Sequence, residues 1–251
     1  MLENHYEVIK NILPSDGPTI SEVKNYLDKY HNEYIVIKCG GSVLVEDNLF
    51  SQFIDNISIL NKLGLMPIVV HGGGKRISNK LDEAGIQTNF INGLRVTDDQ
   101  TIKIVEDVLI EFNKEIVNSL KKKSCDAEQI NTKKNNVISV VKENDKLGFV
   151  GSPVKLFRSY LDKVIKEGKV PIVSPLGLDD KKLPYNINAD TAAAYIAKYL
   201  NARRLIIMSD VEGVLDENKD LITEINSKSV KELINKGVIS GGMIPKINNC
   251  L

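Results

Sequence analysis

Short apolar runs alternate along most of the chain with stretches in which apolar residues recur every three or four positions, the pattern of strands and their covering helices. The run 34–38 is followed by Leu49, Phe50, Phe53, Ile57 and Leu60 at helical spacing, then by the run 66–70 and a helical pattern over 75–84. This predicts a βαβ start. From 97 to 120, Val105, Val108, Leu109, Phe112, Ile116 and Leu120 form a broad apolar face on a long helix. Such a face packs under a sheet, the commoner case, or buries a partner subunit. The runs 137–141 and 148–150 flank Glu143-Asn144-Asp145-Lys146 as in a hairpin, either a lid or a sheet edge. A helix over 156–167 and a strand at 170–173 follow, the strand ending at Ser174-Pro175-Leu176-Gly177. Asn186-Ile187-Asn188-Ala189-Asp190 opens a helix with Asp190 as the expected N-cap. A strand at 205–208, a helix near 227–236, a turn at 240–243 and the start of another helix complete the order. The alternation predicts an α/β protein, with a mostly parallel central sheet sandwiched by helices.

Residues 1–33 stand apart, because Pro14-Ser15-Asp16-Gly17-Pro18 separates two short amphipathic patterns ahead of the first strand. They read as an appended helical arm. At 251 residues and 42% hydrophobic content the chain can bury a substantial core. Thirty-three basic residues balance thirty-three acidic ones, so no global field draws the protein to nucleic acid or an anionic membrane, and any anion site must be local. No stretch approaches a spanning length and 1–15 has no continuous apolar core, which predicts a cytoplasmic protein without a membrane partner. Cys39, Cys125 and Cys250 are too few and scattered for a disulfide framework or metal site, and with only His5, His31 and His71 a histidine-rich centre is not expected.

The candidate chemistry lies in glycine turns at apparent strand ends. His71-Gly72-Gly73-Gly74 follows the run 66–70 and precedes Lys75 and a helix, while Lys38-Cys39-Gly40-Gly41-Ser42 follows the first run. Glycines let backbone N–H groups approach an anion, and a helix N-terminus adds its dipole; two such turns imply a polyanionic ligand. Known nucleotide fingerprints fail: Gly72-Gly73-Gly74-Lys75 lacks the upstream glycine of a Walker loop and is followed by Arg76, and Ile77 stands where a dinucleotide fingerprint needs glycine. No Gly-x-Ser-x-Gly elbow is present. Lys38, the 71–75 turn, Asp210 and Lys246 instead place cations, a carboxylate and backbone donors near strand ends, the parts that phosphoryl transfer requires.

Taken together, Lys38-x-Gly40-Gly41, His71-Gly72-Gly73-Gly74, Asn92-Gly93-Leu94-Arg95-Val96-Thr97, Asn186-Ile187-Asn188-Ala189-Asp190, Ser209-Asp210-Val211-x-Gly213-Val214 and Gly241-Gly242-Met243-x-x-Lys246 resemble the amino acid kinase superfamily. The resemblance runs from about Tyr34 to the last residue, and Asn-Gly-Leu-Arg-Val-Thr points to its acetylglutamate kinase branch. It implies ATP-dependent phosphorylation of the side-chain carboxylate of N-acetyl-L-glutamate in arginine biosynthesis. Lys38 and Lys246 would bracket the transferring phosphoryl group, with Asp190 orienting both. Gly73, Gly74, Arg95 and Asn186 would bind the acid, Arg95 through its α-carboxylate. Gly40, Gly41, Asp210, Val211, Glu212, Gly213, Val214, Leu215, Ile239, Ser240 and Gly241 would bind ATP, with Mg²⁺ carried by the phosphates.

The resemblance also implies an acid- and dimer-forming lobe over 34–198 and an ATP lobe over 199–251. Family members continue beyond the position of Leu251, so the ATP lobe is expected to be incomplete here. The 1–33 arm resembles the helix that links dimers into hexamers in arginine-inhibited relatives, implying a homodimer that the arm extends to a hexamer. Two alternatives stay open: a kinase for a related acid such as an aminoadipate derivative, and a non-catalytic regulatory binder. A side-chain carboxylate is already ionised at neutral pH, so no catalytic histidine is required, and His71 and Cys39 read as turn and packing residues.

Overall fold

Apolar runs bounded by glycine turns become the central layer of the protein. The structure, a computed structural model, describes residues 9–11, 17–240 and 243–250, and at positions 42, 44 and 245 it describes the backbone. In chain order the elements are α1 (Ile20–Lys29), β1 (Tyr34–Cys39), α2 (Asp47–Lys62), β2 (Met66–His71), α3 (Gly74–Glu83), the short β3 (Phe90–Ile91) and β4 (Leu94–Arg95), the long α4 (Asp99–Lys122) and β5 (Ala127–Ile130). Then come β6 (Ile138–Lys142), β7 (Gly151–Leu156), α5 (Arg158–Lys166), β8 (Val170–Val173), β9 (Leu176–Leu178) and β10 (Pro184–Asn186). The last are α6 (Ala189–Leu200), β11 (Arg204–Ile207), α7 (Ser227–Asn235) and α8 (Met243–Asn248).

Five strands form one sheet in the order β11-β1-β2-β8-β5, and its pairs are parallel. The inner strands are buried along nearly their whole length, as expected when helices cover both faces. Side chains alternate between the two faces. Ile35, Ile37 and Val69 pack with Phe53, Ile54 and Ile57 of α2 and Phe112, Ile116 and Leu120 of α4. On the other face Val36, Ile68, Val70 and Val173 meet Leu161 of α5 and Ala192, Ala193, Ile196 and Leu200 of α6. The broad apolar face of α4 is therefore shared between the sheet, through Phe112, Ile116 and Leu120, and α3, through Val105 and Leu109, with Val108 left half-buried.

A second sheet, β10-β9-β6-β7, lies outside what hydrophobic periodicity indicated. The antiparallel partner of β6 is β7, not 148–150: Gly148 and Val150 make isolated bridges to Thr97 and Asn186 instead. Because the strand runs on through Leu156, the next helix begins at Arg158 rather than 156. The N-cap of α6 is Asn188, whose Oδ1 accepts from the backbone N–H groups of Asp190 and Thr191 at 2.9 and 3.1 Å. Asp190 sits in the first turn, where its side chain is free for other work. Of the expected arm, 9–11 and α1 are helical, α1 starting at a Thr19–Glu22 capping box; most of the break at 14–18 lies outside the described residues. Beyond β11, Val214, Val230 and Ile239 form a separate small apolar cluster. No helix among the described residues is long and apolar enough to cross a membrane.

Candidate active site

Strand register sets the site. Cys39 of β1 pairs with His71 of β2, so the glycine turns that follow the two strands lie side by side, and the Gly72 N–H donates to the Cys39 carbonyl at 2.7 Å. Lys38 pairs with Ile207 of β11, which places residues three further on, Gly41 and Asp210, opposite each other. A Cβ on Gly41, whose φ is +65°, would fall on the Asp210 carboxylate, and one on Gly40 would meet Lys38 Nζ. Gly41 is favoured by its left-handed backbone, and a side chain at Gly40 would displace the Lys38 ammonium. The turns open onto a cavity of about 340 Å³ at the C-terminal edge of the sheet, where ligands of open α/β sheets bind.

Asp190 lines this cavity together with Lys38. Lys38 Nζ lies 3.0 Å from Asp190 Oδ1 as an ion pair without a hydrogen bond to that oxygen, and Lys246 Nζ donates to Oδ2 at 3.2 Å. Lys38 and Asp190 are each 8% exposed, whereas Lys246, arriving on α8, is less covered. One carboxylate thus holds two ammonium groups, and the trio carries a net positive charge beside the cavity. Residues 38, 190 and 246 come from β1, α6 and α8, and only the fold brings them together.

Arg95 and Asn186 line the same cavity, with Gly73 and Gly74. The Arg95 side chain is buried and donates to Thr88 Oγ1 at 3.1 Å, to the Gly74 carbonyl at 3.1 Å and to Ser78 Oγ at 3.0 Å. All three acceptors are neutral. No carboxylate ion-pairs with it among the described residues, and burial pushes its pKa down from the usual arginine value. A buried guanidinium held in this way has a large electrostatic demand for an anion. The Asn186 side-chain amide has no hydrogen bond to another described residue, while its backbone N–H donates to Phe149 at 2.9 Å. The N-terminus of α3, capped at Gly73 without any side-chain bond, contributes unpaired N–H groups.

Behind the turn, His71 is fully buried. Its Nδ1 lies 2.9 Å from the Gly72 carbonyl, and its Nε2 lies 3.1 Å from Ser174 Oγ and 3.2 Å from Asn113 Nδ2. Burial lowers its pKa to about 4, against the opposing effect of the Gly72 bond, with a smaller downward push from Arg76. Cys39 is buried and its thiol is pushed up to about 12 by desolvation, which suits a packing role.

Of the residues expected to bind nucleotide, Gly40, Gly41 and Asp210 line the cavity. Val214 and Ile239 instead turn their side chains into the small C-terminal cluster, and Val211 is exposed. Glu212, Gly213, Leu215 and Ser240 do not line the cavity, and Gly241 lies outside the described residues. Sequence reasoning missed Thr88 and Ser78, which hold Arg95, and Asn113 and Ser174, which hold His71. Of these only Ser78 carried a local signal, one helical turn beyond Gly74. No group of three or more His, Cys, Asp or Glu is gathered for a metal among the described residues, and the cavity's carboxylates are Asp190, already engaged, and Asp210.

The sequence profile of the amino acid kinase family matches residues 33–251. An acetylglutamate kinase of Pelagibacter ubique (strain HTCC1062) is 62% identical over 245 residues, covering 98% of this chain and 85% of the relative. A solved structure from Streptococcus mutans UA159 is 32% identical with a TM-score of 0.76, over 86% of this chain and 88% of that one. N-acetylglutamate synthase from Neisseria gonorrhoeae, solved with coenzyme A and N-acetyl-glutamate, has a TM-score of 0.81 at 18% identity, over 91% of this chain and 53% of that one. This last likeness is one of fold.

Proposed function

As the chain belongs to the amino acid kinase family, we propose that it is an acetylglutamate kinase, which transfers the γ-phosphoryl group of ATP to the side-chain carboxylate of N-acetyl-L-glutamate in arginine biosynthesis. The observation that carries the reading is one cavity holding both Lys38 on Asp190, with Lys246 on the same carboxylate, and a buried Arg95 without a carboxylate partner. The Pelagibacter acetylglutamate kinase at 62% identity supports the choice of acid.

In this reading Arg95 pairs with the α-carboxylate of the acid through the guanidinium protons that Thr88, Gly74 and Ser78 leave open, and Asn186 hydrogen-bonds the same ligand. The side-chain carboxylate, ionised at neutral pH with a pKa of about 4.3, needs no general base. Its oxygen forms the new bond to the γ-phosphorus as the bond to the bridging oxygen breaks, and ADP leaves with that electron pair. Lys38 and Lys246 spread the charge on the transferring group, Asp190 keeps both ammonium groups in place, and the Gly73 and Gly74 N–H groups donate to its oxygens or to the attacking carboxylate. Gly40, Gly41, Asp210–215 and 239–241 serve ATP. The residues present form no metal cage of their own, so we assign Mg²⁺ to the phosphates, where it would neutralise charge, and name no protein ligand for it. Residues 34–198 would form the acid-binding and dimerising lobe and 199–251 the nucleotide lobe of a cytoplasmic homo-oligomer, with 1–33 as a linking arm.

The test is ATP-dependent acyl-phosphate formation from N-acetyl-L-glutamate, trapped as the hydroxamate, with Lys246→Ala as control. Hydroxamate from the wild-type protein and its loss in the control are expected. A folded wild-type protein that yields none overturns the reading.

A further inference from the structure

We infer that His71 is a positioning residue for phosphoryl transfer, whose Nδ1–H locks the Gly72 carbonyl and thereby aims the Gly73 N–H into the cavity. The inference rests on the kinase reading above and deepens it by assigning what controls the glycine turn. A carbonyl oxygen only accepts, so the 2.9 Å contact to Gly72 places the imidazole proton on Nδ1. Nε2 is then an acceptor. Asn113 Nδ2 donates one proton to the Ile172 carbonyl at 2.8 Å, which fixes the orientation of its amide, and its other proton meets Nε2 at 3.2 Å. Ser174 Oγ stands 3.1 Å from the same nitrogen. The Gly72 carbonyl and the Asn113 amide agree on one neutral tautomer, while the Ser174 hydroxyl, whose single proton also faces the Leu109 carbonyl at 3.5 Å, fits either; the lowered pKa that burial gives the ring keeps it neutral.

The consequence passes through a planar peptide unit. In a trans peptide the carbonyl of one residue and the N–H of the next point in opposite directions. The Gly72 carbonyl is held toward the buried imidazole, so the Gly73 N–H is turned away from it, and Gly73 lines the cavity. The preceding peptide is fixed too, by the Gly72 N–H on the Cys39 carbonyl. Gly73 itself has no room for a side chain, since a Cβ would come within 2.7 Å of Leu109 Cδ2 on α4. An apolar side chain could fill the place of His71 without desolvating two ring nitrogens. What the imidazole adds is a directed bond.

The experiment compares His71→Asn, whose amide puts an N–H near the place of Nδ1, with His71→Gln, whose amide reaches instead toward Nε2. Melting temperature, kcat and both KM values are measured for each beside the wild type. We expect His71→Asn to keep kcat within about threefold and His71→Gln to lose about 30-fold in kcat, the scale of a misaimed transition-state donor, with KM for ATP within about twofold. Equal losses, no loss in either, or the reverse ranking would overturn the inference, since a purely packing role does not distinguish the two amides this way. If neither variant folds, side-chain ¹⁵N shifts of wild-type His71 decide: a proton on Nδ1 supports the inference and one on Nε2 ends it. That readout is independent of turnover, so an inactive wild type would count against the kinase reading and not against the positioning role.

Discussion

Phe149 donates its backbone N–H to the Thr97 carbonyl at 2.6 Å, and this bond ties two walls of the cavity together. Thr97 in turn donates its N–H to Leu147 at 2.9 Å, and its hydroxyl donates to the Arg95 carbonyl at 2.8 Å. On the other side the Phe149 carbonyl accepts from the Asn186 N–H at 2.9 Å. A backbone strap therefore runs from the residue proposed to grip the α-carboxylate to the one proposed to bond the same ligand.

Gly148 is the tightest point of that strap. Its φ is +68°, and a Cβ there would land on the Thr97 carbonyl. Gly148→Ala is expected to push Thr97 and Phe149 apart, raising KM for N-acetyl-L-glutamate about tenfold and costing about 1–3 kcal/mol of stability. Initial rates with each substrate varied in turn check this. KM for ATP should stay near the wild-type value, because no nucleotide residue hangs on the strap.

Asp190 and Lys38 are not equivalent targets. Removing the carboxylate charge with Asp190→Asn leaves a nearly buried Lys38 ammonium uncompensated, at an expected cost of about 3–5 kcal/mol in urea unfolding. Lys38→Met leaves Asp190 still paired with Lys246 and adds an apolar stem of similar length, so its stability should fall less. Both should lose at least about 100-fold in kcat, since each removes a proposed contributor to charge stabilisation. Similar stability losses in the two variants would mean that the ion pair is not what makes the site costly to disturb.

The central strands were legible because β1 and β2 are β-branched apolar runs closed by glycines. β5 was not, because its Glu128 and Gln129 reflect an edge position and blur the apolar run. The strands β3, β4, β9 and β10 are two or three residues long, too short to show a period. Asn188 and Asp190 are both good capping residues, and what separated them was tertiary: Asp190 is taken by lysines that arrive from β1 and α8. Local pattern could offer Lys38, Asp190 and Lys246 only as scattered charges, and their grouping was suggested by family resemblance. Nothing local announced the partners of His71, which lie 42 and 103 residues away on α4 and after β8.

Acid should expose the buried imidazole. Folding holds the pKa of His71 near 4 against an ordinary 6.5, so the unfolded chain binds the proton more readily. The stability tied to this group is complete above pH 6.5 and is lost as the pH falls through 4, up to about 3 kcal/mol in that window. Urea midpoints at pH 7 and pH 4.5 should differ more in the wild type than in His71→Asn, which has no titrating group at position 71. Parallel curves for the two proteins would mean that other carboxylates carry the acid sensitivity.

Arg95 separates charge from geometry. Its guanidinium already spends bonds on Thr88, Gly74 and Ser78, which set the plane of the fork, and it also lies over the Phe90 ring at 4.9 Å from the centroid. Arg95→Lys keeps the positive charge but has one nitrogen in place of the planar guanidinium, so it cannot hold all three neutral acceptors and also donate to a carboxylate, as Arg95 can through Nε and the remaining Nη1 proton. KM for N-acetyl-L-glutamate is expected to rise about 100-fold, the scale of losing charge-assisted bonds in a desolvated site, while KM for ATP stays within about twofold. A lysine variant with a near wild-type KM for the acid would mean that charge alone anchors the ligand, and the held plane of the guanidinium would then need another purpose.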